Sequence, residues 1–117
     1  MDYAEVKIVI NENKITKEGK YPVNYIFHHI KCIAKTGEMR LIEENVNKNA
    51  GTHAMIYRAY YEGNASYAYT AAFFANYVYA SPARPYLEIL TLFDSEDESL
   101  EDCISDIKKM EEKHGWA

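Results

Sequence analysis

The spacing of the apolar residues changes within the first third of this chain. Residues 4–10 largely alternate apolar and polar side chains, which predicts a strand. Between residues 23 and 34 the apolar side chains instead recur every three or four positions, as on one face of a helix. Pro22 suits the first turn of this helix, and Gly37 suits the position just after its end. We therefore predict a helix over residues 22–36, so that the chain combines a sheet with helices.

A region rich in aromatic residues occupies the middle of the chain. Residues 53–61 and 66–80 lie on either side of Gly63-Asn64, a dipeptide that favours the tight turn of a β-hairpin. The alanines within residues 66–80 also fit a helix, but the alternating tyrosines and the turn favour a strand. Residues 86–93 have the nearly continuous apolar run of a buried strand. These three segments are predicted to form an antiparallel meander.

The last part of the chain has the pattern of an amphipathic helix. Its apolar residues recur at helical spacing, and Ser95 and Glu98 stand at the spacing of a capping box. We predict a helix over residues 96–114. Residues 39–46 fit a short strand or a short helix equally well. The predicted fold is a single α+β domain over residues 1–117, with an antiparallel sheet packed against two helices and, as a variant, curved around the first.

Charge is distributed unevenly along the chain. The formal net charge is −5, and residues 88–117 carry ten acidic and three basic side chains. Because binding to nucleic acid depends on neutralising phosphates, we expect no nucleic-acid partner. The uncharged run at residues 63–83 is too polar to cross a membrane, and no signal peptide begins the sequence. We therefore expect a cytoplasmic protein that does not bind a membrane and in which both cysteines are free thiols.

The tyrosines suggest where a binding surface lies. Eleven are present, and in the hairpin imposed by Gly63-Asn64 many of them share one sheet face with Arg58. Arginine and tyrosine without lysine or glutamate are typical of protein interfaces. The predicted partner-binding residues are Arg58, Tyr60, Tyr67, Tyr69, Tyr77 and Tyr79. The same side chains fit a core position nearly as well, so the sequence leaves interface and core open.

No catalytic, metal or cofactor motif is recognisable in the sequence. His28 and Cys32 form the one close imidazole–thiol pair at helical spacing, but no orienting group or oxyanion donor accompanies them. A metal site at these two residues lacks a motif that supplies further ligands. We therefore predict no catalytic residue, no metal and no cofactor. The sequence does not decide whether the protein is an enzyme, and it favours a protein that is not.

Two functions remain in consideration. The first is a small acidic protein-binding module of the inhibitor, immunity or adaptor type, whose partner is another protein or a second copy of the chain. The second is a small-ligand-binding protein or enzyme with a Tyr-lined pocket between a curved sheet and helix 22–36. The residues predicted for that pocket are His28, Cys32, His53, Arg58 and Tyr69.

Overall fold

The computed structural model describes residues 1–61 and 66–115, with backbone alone at residues 66–68. The strands in these ranges are β1 (Asp2–Asn11), β2 (Arg40–Asn47), β3 (Thr52–Tyr61), β4 (Leu87–Asp94) and β5 (Ser99–Asp102). The helices are α1 (Glu12–Glu18), α2 (Val23–Thr36), α3 (Ser66–Ala80) and α4 (Cys103–His114). The chain is an α+β fold with an antiparallel sheet and a C-terminal helix, as predicted. None of the described helices is long and apolar enough to cross a membrane.

The sheet is built around its first strand. The strand order is β2-β3-β1-β4-β5, and every neighbouring pair is antiparallel. Along β1 the side chains of Ala4, Val6, Ile8 and Ile10 are fully buried, whereas the residues between them are not. All four helices contribute to the same core as these residues. The helices therefore cover one face of the sheet, and the described residues leave the other face open.

Several elements match their predictions closely. The strands predicted at 4–10 and 53–61 lie within β1 and β3, the one at 86–93 corresponds to β4, and helix 22–36 is α2. Of the ambiguous residues 39–46, all but Met39 lie in strand β2. The polar stretch after β1 holds the short helix α1, whose first turn is capped by Asn11. The spacing of apolar residues predicts the correct type of secondary structure where one side of an element is polar.

The strand predicted over residues 66–80 is wrong, because these residues form helix α3. Its buried side chains follow helical spacing and are Ala71, Phe74, Ala75, Val78 and Tyr79. Phe74 packs edge-on against Tyr57 of β3, with ring centroids 5.1 Å apart. The small alanines allow the helix to lie close to the sheet, and their high helix propensity outweighs the strand preference of the tyrosines. The predicted turn at Gly63-Asn64 lies outside the described residues.

The C-terminal helix begins seven residues later than predicted, at Cys103 rather than at residue 96. Asp102 is its N-cap, and its side chain accepts a hydrogen bond from the Ser105 amide at 3.3 Å. The predicted capping box is therefore wrong. Ser95 instead accepts a hydrogen bond from the Tyr3 amide at 2.8 Å, and Glu98 lies in the turn before β5 with a φ of 53°. Pairing of β5 with β4 takes up the residues that would otherwise begin the helix.

Candidate functional site

The uncovered side of the sheet, here called the open face, brings together side chains from four strands. Across β1 and β3, Tyr3 lies opposite Tyr60 and Glu5 lies opposite Arg58. On the other side Glu5 lies opposite Phe93 of β4, and Phe93 lies opposite Leu100 of β5. We refer to these six residues, Tyr3, Glu5, Arg58, Tyr60, Phe93 and Leu100, as the open-face cluster.

Arg58 contacts three other side chains of the open-face cluster, those of Tyr3, Glu5 and Tyr60. Its guanidinium carbon lies 4.2 Å from the ring centroid of Tyr3 and 5.5 Å from that of Tyr60. Its Nη1 donates to the Tyr60 hydroxyl at 2.9 Å, its Nε donates to Glu5 Oε1 at 2.7 Å, and its Nη2 contacts the same carboxylate oxygen. The hydrogen bonds with Tyr60 and Glu5 raise the pKa of Arg58 above its ordinary value. Arg58 is therefore a fixed, permanently charged group held between two aromatic rings.

The open-face cluster is more apolar than the solvated side of a sheet usually is. Such a face normally carries polar side chains between the buried ones. Here Leu100 is 68% exposed and Tyr60 is 43% exposed. The ring of Tyr3 lies 6.1 Å from the ring of Tyr60 and 6.1 Å from that of Phe93, which links the exposed groups into one patch. A continuous apolar patch of this kind is typical of an interaction surface.

The charged side chains of the open face are balanced in sign. The strand register places these cations and anions on it: Lys7, Arg40 and Arg58, and Glu5, Glu43 and Asp102. The whole chain has a net charge of −5. The acidic excess therefore lies away from the open face, and the face itself carries no strong field of one sign.

The six predicted partner-binding residues do not share one surface. Arg58 and Tyr60 lie on the open face, whereas Tyr69 and Tyr77 are exposed on the outer side of α3. Tyr79 is buried beneath the guanidinium of Arg84, which lies 4.1 Å from its ring centroid. The side chain of Tyr67 lies outside the described residues. Their separation follows from α3 being a helix rather than a strand beside β3.

Sequence reasoning missed Tyr3, Phe93 and Leu100. Tyr3 stands just before the strand predicted at 4–10, and Leu100 lies within the helix predicted at 96–114. The signal that unites them is the position of β1 between β3 and β4, which joins segments far apart in the chain. Local patterns do not contain that strand order.

The five residues predicted for a ligand pocket are also divided. A groove of about 810 Å³, here called the α2–α3 groove, is lined by His28, Cys32, Phe73 and Tyr77 among others. Within it, Cys32 Sγ lies 3.5 Å from His28 Nε2. His53, Arg58 and Tyr69 do not line this groove.

His53 lies at the base of the helical layer rather than in the groove. Its ring is tilted against that of Phe27 with the centroids 4.3 Å apart, its Nδ1 lies 2.8 Å from Glu12 Oε1, and its Nε2 lies 3.4 Å from Glu44 Oε2. These contacts join α1, α2 and the β2–β3 hairpin. His53 therefore has a structural role that accounts for its position.

The described residues contain no group of three His, Cys, Asp or Glu side chains placed to hold a metal ion. Both cysteines are free thiols, Cys32 exposed and Cys103 buried. Burial raises the pKa of the Cys103 thiol to about 11, with a smaller contribution from the neighbouring Glu101, so this thiol is protonated at neutral pH. The open face presents aromatic rings and a guanidinium that could contact a partner, and the α2–α3 groove has a mainly apolar lining.

Comparison with known proteins adds no relative to these observations. Searches against protein families, curated proteins and solved structures found no significant match to this chain. The open face and the α2–α3 groove are therefore the features from which its function is inferred.

Proposed function

We propose that this chain is a small acidic, cytoplasmic protein-binding module that acts through its open face, and that the surface it binds is the open face of a second copy. The observation that carries the proposal is the open-face cluster, in which Arg58 is fixed between Tyr3 and Tyr60 beside the exposed Leu100. Two free thiols fit a reducing compartment.

The size of the open face supports an interface between two sheets. Five strands spaced about 4.8 Å apart, the longest of ten residues, present roughly 600–800 Å². A standard protein interface buries about 800 Å² on each partner. Two such faces stacked about 10 Å apart would interdigitate their side chains as the sheets of a β-sandwich do. The open-face cluster would then form the centre of a second core.

The balance of charge supports a second copy as the partner. A two-fold interface brings a surface against itself, so a surface with charges of one sign would repel its copy. The three cations and three anions of the open face avoid this repulsion. Glu5 already pairs with Arg58 within one copy, so burying Arg58 leaves no uncompensated charge.

The contacts that Arg58 makes within one copy support its role as an anchor. Side chains that must be immobilised on association cost about 0.5–1.5 kcal/mol each. Arg58 is already held by Glu5 and by the two tyrosine rings, so little of this cost remains. Ordered arginine and tyrosine side chains are the residue types that dominate the binding energy of interfaces.

Replacing Arg58 by lysine tests this proposal. Lysine keeps the charge but loses the planar group that stacks on the rings, so we expect dimerisation to weaken about fivefold, or about 1 kcal/mol. Arg84→Lys is the matched control, because Arg84 also stacks on a tyrosine but lies away from the open face. Sedimentation equilibrium over a range of concentrations measures both. A wild-type chain that stays monomeric at high micromolar concentration contradicts the proposal, as does an equal effect of the two variants.

A second function is favoured by the α2–α3 groove. Its volume of about 810 Å³ lies within the range of small-molecule sites, about 300–1,000 Å³. Among the residues that the structure describes, no Asp, Glu, Lys or Arg lines it, so a ligand there would be neutral and mainly apolar. Substitutions on the open face would leave the binding of such a ligand unchanged, whereas they would weaken the proposed dimer.

A further inference from the structure

A second cavity lies where the edge of the sheet is incomplete. Strand β2 begins with Arg40 opposite Arg58, so that residues 59–61 of β3 extend beyond it. The space beside them forms a cavity of about 760 Å³, here called the edge cavity. The end of α2 and the turn into β2 contribute the rest of its wall, including Lys35 and Met39.

The edge cavity gathers positive charge in a protein whose net charge is −5. Lys35, Arg40 and Arg58 line it, and among the lining residues that the structure describes Glu38 supplies the one carboxylate. Arg58 keeps its charge and has an ion-pair partner in Glu5 of the adjacent strand. Within residues 1–61 and 66–115, neither the Lys35 side chain nor the Arg40 side chain has a hydrogen bond or ion pair. The cavity therefore holds two cations without partners.

The position of Arg40 works against the stability of the sheet. Cross-strand partners point to the same side, and like charges placed directly opposite each other destabilise a sheet. A neutral side chain opposite Arg58 would avoid this repulsion. An anion bound between the cations would also remove the repulsion between Arg40 and Arg58. It would explain why a charged side chain stands at position 40, where it has no partner within the described part of the fold.

We propose that the edge cavity binds an organic oxyanion, a phosphate or carboxylate group attached to an apolar body. Lys35 and Arg40 hold the oxyanion, since a guanidinium can donate two parallel hydrogen bonds to such a group. The apolar body lies against Tyr60 and Met39, which line the same cavity. The volume of the cavity exceeds that of a bare phosphate, so a larger ligand fits it better. This site needs no second copy of the chain, and it goes beyond the function proposed above.

Titration of the whole chain with phenyl phosphate, followed by the backbone amide signals, tests the site. We expect saturable shifts around Arg40 and Tyr60 with a Kd of about 1 mM or tighter. Benzoate in a parallel titration distinguishes a carboxylate site from a phosphate site. Titrations with inorganic phosphate and with phenol measure how much of the affinity comes from the oxyanion alone and from the aromatic ring alone. Arg40→Gln is expected to weaken phenyl phosphate and benzoate about tenfold. Lys31→Gln is the control, because Lys31 is exposed on α2 and outside the cavity lining.

The outcomes of this titration are decisive. The absence of saturable binding by both organic anions overturns the proposal, and so does an equal effect of Arg40→Gln and Lys31→Gln. Thermal unfolding gives a second readout. Arg40→Gln is expected to melt at or above the temperature of the wild type, because it removes the repulsion from Arg58. A lower melting temperature would mean that Arg40 serves the fold, which contradicts the inference.

Discussion

Replacing Phe74 by alanine should lower the free energy of unfolding by about 3–5 kcal/mol, measured by urea or thermal denaturation. Phe74 is 2% exposed and packs against Tyr57, so its removal leaves a cavity between α3 and the sheet. A loss of this size is a large part of the stability of an ordinary domain. The prediction tests whether residues 66–80 form a helix that is docked on the core.

Phe73 provides the control for this experiment. It is the preceding residue of the same helix, but it is 60% exposed on the side of the α2–α3 groove. Phe73→Ala should change the free energy of unfolding by no more than about 0.5 kcal/mol. Similar losses for the two variants, or a larger loss for Phe73, would mean that α3 does not present the side described here to the sheet.

Replacing Tyr60 by alanine should weaken dimerisation by about 2 kcal/mol or more, roughly 30-fold in Kd. Tyr60 accepts a hydrogen bond from Arg58 and packs against the Tyr3 ring, so its loss removes one support of the Arg58 side chain as well as its own contact. Because Tyr60 is partly exposed in a single copy, the stability of the monomer should fall by about 1 kcal/mol at most.

Tyr69→Ala is the matched substitution, since Tyr69 is 64% exposed but lies on α3 rather than on the open face. It should leave dimerisation unchanged. Analytical ultracentrifugation of both variants measures the difference. If Tyr69→Ala dissociates the dimer and Tyr60→Ala does not, the outer side of α3 is the interface and the role proposed for the open face is incorrect.

The sequence predicts those elements that have one polar side. Helix α2 and strand β1 show their periods plainly, because buried and exposed positions differ in residue type. Helix α3 does not, since Phe73 and Tyr77 on its exposed side are as apolar as Phe74 on its buried side. With no polar stripe to mark a helical period, the alternation of tyrosines has the appearance of a strand.

The start of α4 was missed for a different reason. Ser95 and Asp102 are both good N-cap residue types, and local sequence does not distinguish between them. The pairing of Leu100 with Phe93 extends the sheet through β5 and thereby moves the start of the helix to Cys103. A contact between strands decided what the local pattern left ambiguous.

The candidate site was predictable in part. The sequence predicts Arg58 and Tyr60 as binding residues from their residue types and from the sheet face that the predicted hairpin would give them. Both lie in the open-face cluster, although residues 66–80 form a helix. Tyr3 and Phe93 join them because β1 pairs with β3 on one side and with β4 on the other, across long separations in sequence. Which face the helices cover also depends on the packing of the whole chain. Neither property is visible in a local pattern of residues.

An isotope-filtered NOE measurement on an equal mixture of labelled and unlabelled chains tests the central claim most directly, since it detects only contacts between copies. If two open faces pack together, the intermolecular signals should come from the side chains of Tyr3, Phe93 and Leu100. The claim would be contradicted if the intermolecular signals were confined to the outer side of α3 around Phe73. It would also be contradicted if a sample free of aggregates gave no intermolecular signals at high micromolar concentration.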